Sequence, residues 1–151
     1  MRKNRSVIGL LVLAAFVSCS AFSCSQQKTA QQVLNKVAVT NQAFERGVRA
    51  AHHDLDASGN PFVDDNLERS LLDISRKVAV AGNEASTAFL AGDNATTLER
   101  INLSIALIDD ANTNRLLGIN DPKKREELSA LLLAVRGLFT TAKGFIPGGG
   151  L

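Results

Sequence analysis

From Ala30 to Phe145 the apolar residues recur in steps of three and four, and nowhere do they alternate strictly in a run rich in Val, Ile and aromatics. That spacing puts the apolar side chains on one face of a helix, whereas a strand needs a period of two. The fold class expected is therefore all-α. One seam carries Ala30, Leu34, Val37, Asn41, Phe44, Val48, Ala51 and Leu55, and a second carries Leu67, Leu71, Ile74, Val78, Ala81, Ala85 and Ala88. A third runs through Leu98, Ile101, Ile105, Ile108, Asn112 and Leu116; Leu103 and Leu107 broaden it, so this helix is expected to be the most buried. The fourth has Leu128, Leu131, Val135, Leu138, Ala142 and Phe145, with Leu132 and Phe139 widening the face. Asn41 is a polar residue on an apolar seam, where a hydrogen-bonded asparagine fixes register at some cost in stability.

Three breaks separate these segments. Ser58-Gly59-Asn60-Pro61 ends the first; Gly92-Asp93-Asn94 offers a carboxyl-terminal glycine and then a capping residue; Gly118 to Pro122 repeats the device, with Asp121 as cap and Pro122 at the first helical position. Short loops make neighbouring helices antiparallel. The expectation is an up-down-up-down four-helix bundle over residues 30–146, with helices ~40 Å long at about 1.5 Å per residue. Residues 147–151 (PGGGL) are expected to form a disordered tail. A chain of 151 residues, 45% hydrophobic, has material for one such domain.

Ahead of the bundle, Met1 to Arg5 forms a basic stub and Val7 to Val17 an uncharged apolar run, followed by the small residues Ser18 to Ser20. This is the order of a secretory signal peptide, and the run is shorter than the ~20 apolar residues that span a bilayer. Phe16-Val17-Ser18-Cys19 and Ala21-Phe22-Ser23-Cys24 both resemble the lipobox of bacterial lipoproteins, with Phe16 and Ala21 standing where that family usually has Leu. The resemblance implies that Cys19 or Cys24 is acylated and becomes the first mature residue. The signal peptide is then 1–18, or 1–23 with the second cysteine, and residues 19–29 form a polar tether. Ordinary cleavage after Ser23 is the alternative. The implied location is the cell envelope, with the protein exported and membrane-anchored on the periplasmic or surface side.

Removing the stub leaves 14 Lys and Arg against 15 Asp and Glu, which argues against nucleic acid as a partner. The chain without its signal has no G-x-S-x-G motif, no phosphate-binding glycine loop and no Glu-x-x-His pair of the kind that builds metal sites in bundles. It is expected not to be an enzyme.

The unusual residues gather at the end of the bundle far from the lipid. Asp54, Asp56, Ser58, Gly59, Asn60 and Asp65 lie in a twelve-residue window that resembles an EF-hand or dockerin-type calcium loop. That resemblance implies oxygen ligands from Asp54, Asp56, Ser58, the Asn60 carbonyl and Asp65, with Gly59 at the sharp turn. Calcium is thus the one cofactor the sequence suggests, against the plainer reading of a turn composed of turn-forming residues. Lys123, Lys124 and Arg125 open the fourth helix, where the helix dipole disfavours cations. They form a candidate patch for docking an anionic partner, beside the plainer reading of a turn balanced by Glu126 and Glu127. Two function classes follow: a non-enzymatic envelope lipoprotein whose bundle binds another envelope protein, and a calcium-binding helical module.

Overall fold

A computed structural model describes the backbone of residues 4–150 and the side chains from Ser25 onward. It is an antiparallel four-helix bundle: α1 (Asn4–His53), α2 (Asp65–Leu90), α3 (Asn94–Asp110) and α4 (Pro122–Gly144). α1 packs on α2 and α4, and α3 closes the ring by packing on the same two. Among the described residues there is no strand, only a single bridge between Leu55 and Pro61. Cys19 and Cys24, with the signal peptide, lie outside the described side chains.

The segment expected to be a polar tether belongs to α1. Ser25 to Thr29 are helical and exposed, and the Thr29 hydroxyl donates to the Ser25 carbonyl at 2.9 Å. The first seam is buried from Ala30 through Ala51, Asn41 included, while Leu55 lies past the helix end and is 60% exposed. Asn41 Nδ2 donates to the Ser75 carbonyl of α2 at 3.0 Å, and the Ser75 hydroxyl donates to Glu45 Oε1 at 2.9 Å. The asparagine therefore ties α1 to α2 at one register.

α2 buries Leu71, Ile74, Val78, Ala81 and Ala85 as spaced, then Phe89 in place of Ala88. Two seams shift. In α4 the fully buried positions are Leu128, Leu132, Val135, Phe139 and Ala142, so Leu132 and Phe139 are central while Leu131 and Leu138 flank the core. In α3 the buried face is Thr97, Ile101, Ser104 and Ile108; Ile105 is only partly buried, and Leu103 is 43% exposed. That helix is thus not the most buried. Thr97 and Ser104 can enter the core because each hydroxyl donates back to its own helix, to Asp93 O at 2.6 Å and Arg100 O at 2.9 Å.

The carboxyl end of the third segment departs from a regular helix. Ala111–Arg115 is a π-helical turn, in which the Leu116 amide bonds to the Ala111 carbonyl, and Leu116–Gly118 is a turn of 3₁₀-helix. The wider turn moves the seam from Ile108 to Ala111 and then five residues on to Leu116, all buried. Asn112, which an unbroken α-helix would place on that seam, is turned toward α4, where Ser129 Oγ donates to its Oδ1 at 2.6 Å.

The caps follow the sequence. Asp64 accepts from the amides of Asn66 and Leu67, Asp93 from Thr96, and Asp121 from Lys124. The Thr96 hydroxyl and then its amide hold the Asp93 carboxyl below the usual carboxylate range. A depressed folded pKa gives stability that is present above the unfolded value, ~3.9, and lost as pH falls through the folded value. Melting curves taken downward from about pH 4 should therefore fall less steeply for Asp93→Asn, which keeps a capping acceptor without the charge; identical acid slopes would remove Asp93 from the account.

Of the residues expected to form a disordered tail, 147–150 are described and fold back instead. Ile146 is buried, Gly149 donates to the Ile146 carbonyl at 2.9 Å, and Gly148 has a φ of +84°. Gly149 is itself buried beside Leu98, where a Cβ would run into the Lys143 carbonyl.

Candidate functional site

Two poles of the bundle concentrate its unusual features. At the distal pole α1 ends at His53, and the chain returns through a small closed loop. Asp56 organises that loop: its Oδ1 accepts from the amides of Ser58 at 2.8 Å and Asn60 at 2.9 Å, and its own amide donates to the Asn60 carbonyl at 2.8 Å. Gly59, at φ +82°, makes the turn, as the sequence suggests. The loop is pinned underneath by Val63, which is fully buried and donates its amide to the Ala51 carbonyl at 3.2 Å.

The five residues assigned to a calcium loop are not brought together. Asp54 turns to α4, where Lys124 Nζ donates to its Oδ2 at 3.0 Å. Asp56 Oδ1 and the Asn60 carbonyl are engaged by loop amides, and Asp65 stands on the first turn of α2, its side chain 80% exposed. Among the described residues, no group of three or more His, Cys, Asp or Glu is arranged to hold a metal ion. The physical reason is local for Asp56, whose Oδ1 satisfies the amides of its own turn, and long-range for Asp54, whose Oδ2 is drawn to the Lys124 ammonium.

His52 is a residue whose partners the sequence did not reveal. Its Nδ1 lies 2.9 Å from the Val63 carbonyl, which can only accept, so that nitrogen carries the proton. Its Nε2 faces Asp65 and Glu68, each 3.7 Å away. The imidazole thereby bolts the loop to the start of α2, and the neighbouring His53 is left exposed.

The three cations at the start of α4 do different things. Lys124 pairs with Asp54 and lies 3.7 Å from Glu127; the Asp54 hydrogen bond, followed by the nearby carboxylates, raises its pKa. Arg125 is half-buried and borders a polar cleft with Asn112, Pro122, Glu126 and Ser129, while Lys123 is exposed. The patch is thus partly neutralised, with Lys123 facing solvent. Leu117, 65% exposed, belongs to the same pole in the turn between α3 and α4. The adjacent acids of α3 separate as consecutive helix positions must: Asp109 accepts from Arg136 of α4 at 2.7 and 3.3 Å, and Asp110 from Asn114 at 2.7 Å.

At the opposite pole Gln31 Nε2 donates to Ser86 Oγ at 2.7 Å, fixing the start of the α1 seam to the end of α2. Gln26 and Gln27 border a shallow cleft there with Phe89, Gly92, Asn94, Phe145 and Pro147. Leu90, at the last turn of α2, is 65% exposed. Between the poles, Val80, Leu103 and Leu107 line an apolar groove of about 340 Å³ along α2 and α3, edged by Arg76, Lys77, Glu84 and Arg100. Leu103 and Leu107 were expected to broaden a buried stripe; Leu107 does pack against the core, partly buried, whereas Leu103 is exposed, and both border this groove.

Compared with family models, with curated proteins and with solved structures, the chain matches none.

Proposed function

We propose that this chain is an exported, lipid-anchored protein of the cell envelope with no catalytic role, whose helical bundle presents its distal pole to another envelope protein. The observation that carries this reading is the course of α1, which runs as one helix through positions 19 and 24 to His53, so that either cysteine, as first mature residue, leads directly into the bundle seam. Anchor and distal pole thus stand at opposite ends of one rod. Attachment is assigned to acylation at Cys19 or Cys24 because Phe16-Val17-Ser18-Cys19 and Ala21-Phe22-Ser23-Cys24 resemble the lipobox. The distal pole offers what a docking surface uses: exposed Leu55 and Leu117 with the free ammonium of Lys123.

The test has two arms. Mass spectrometry of the membrane-extracted protein should find a diacylglyceryl cysteine at position 19 or 24, and an unmodified, soluble chain overturns the anchor. A photo-crosslinker placed at Leu117 in intact cells should give one discrete adduct, whereas one at Val39, equally exposed on the flank of α1, should not. Equal labelling from both sites overturns the distal pole as the docking surface.

A further inference from the structure

We propose that the proximal pole of the bundle rests directly on the lipid surface, so that the body stands upright on the bilayer with no flexible spacer beneath it. This deepens the anchor reading above and rests on it. Residues 25–29 are helical, and Gln26 and Gln27 are level with Phe89, Gly92 and Phe145 of the proximal cleft. At about 1.5 Å per residue, Cys24 lies only ~3 to 5 Å below that level and Cys19 ~10 to 12 Å. The headgroup layer on each side of a bilayer is itself several ångströms deep. A diacylglyceryl group on either cysteine therefore draws the pole to the headgroups, and a helical leader has no slack with which to hold it away.

Leu90, in the last turn of α2, is 65% exposed, and the half-buried Phe145 and exposed Pro147 line the cleft of the same proximal pole. An apolar side chain at the end of a helix next to a membrane gains by entering the interface. Charge agrees in direction. The proximal pole holds Lys28 and Lys143 against Asp93, whose carboxylate keeps its charge while the amide and hydroxyl of Thr96 donate to it. The distal pole carries Asp54, Asp56, Asp64, Asp65, Asp121, Glu126 and Glu127 against Lys123, Lys124 and Arg125, a net negative set. An anionic lipid surface thus attracts the proximal end and repels the distal one.

The chain contains no Trp, so one introduced indole reports alone. The acylated full-length protein is reconstituted into phosphatidylcholine and phosphatidylglycerol vesicles that carry a headgroup spin label. Leu90→Trp should lose most of its emission and Leu117→Trp, at the far end of helices ~40 Å long, almost none; both positions are exposed, and Ala91→Trp repeats the proximal reading one residue on. Vesicle flotation with unquenched proximal tryptophans overturns the seating alone. Equal quenching at the two poles overturns it too, because the bundle then lies on its side. Failure to float overturns the anchor reading itself, and the seating with it.

Discussion

Phe139→Ala is expected to lower the stability of the bundle by ~3 to 5 kcal/mol. Phe139 is fully buried, and its ring reaches across from α4 to α2, where a Cβ built on Gly82 would stand 3.2 Å from its Cζ and 3.7 Å from Val37 Cγ1 of α1. Three helices therefore meet around this ring. Gly82 has no side chain where the phenyl group fills the space opposite, so it offers nothing to occupy the cavity that alanine would leave. Since whole domains are stable by only about 5 to 15 kcal/mol, the variant should sit near the edge of folding. Urea denaturation measures the loss directly. Leu138→Ala, on the flank of the same helix, should cost clearly less, and Leu133→Ala, 49% exposed, under about 0.5 kcal/mol. An equal or larger loss at Leu138 would put the core face of α4 where the bare sequence spacing places it.

That contrast shows where periodicity alone stops being informative. α1 was legible from Ala30 to Ala51 because its large residues Leu34, Val37, Phe44 and Val48 lie on one chain of three- and four-residue steps, with Val33, Ala38 and Val39 beside it. α4 has three consecutive leucines, Leu131 to Leu133, and the pair Leu138-Phe139, so two stripes a single residue apart satisfy the same steps. Packing decides between them, and it chooses the one that places Phe139 opposite Gly82. The helix starts were legible because Asp64, Asp93 and Asp121 act through their own backbone neighbourhoods, which a local pattern contains.

The π-helical turn was not legible for the opposite reason. A regular helix would carry Asn112 into the core, and the extra residue per turn avoids that by handing it to Ser129, seventeen positions along the chain. No local window holds both ends of that bargain. The same limit applied at the distal loop. The acidic spacing there is compatible with a shared cation, but a sequence does not show that Asp54 is within reach of Lys124, seventy positions away, or that Asp56 caps its own turn.

Asn41→Asp should cost ~3 kcal/mol or more at neutral pH, through a buried charge rather than a cavity. The amide nitrogen of Asn41 donates to the Ser75 carbonyl at 3.0 Å in a site only 3% exposed; an aspartate would present a second acceptor to that carbonyl and place a carboxylate one turn from Glu45. Burial and Glu45 both disfavour its ionised form, so the folded pKa of the introduced acid lies above its unfolded value of ~3.9. The folded variant then binds the extra proton more readily than the unfolded one. Its deficit relative to the parent is full above the folded pKa and shrinks as pH falls through it, since a protonated carboxyl can again donate to Ser75. Asn41→Leu separates charge from polarity. Ser75 lies within α2 and its carbonyl keeps the helical amide as donor, so no buried group is orphaned and the change should stay within about 1.5 kcal/mol at any pH. Urea melts of the three proteins at neutral and mildly acidic pH are decisive: a gap between Asn41→Asp and the parent that does not narrow in acid would mean that Asn41 is not buried against Ser75.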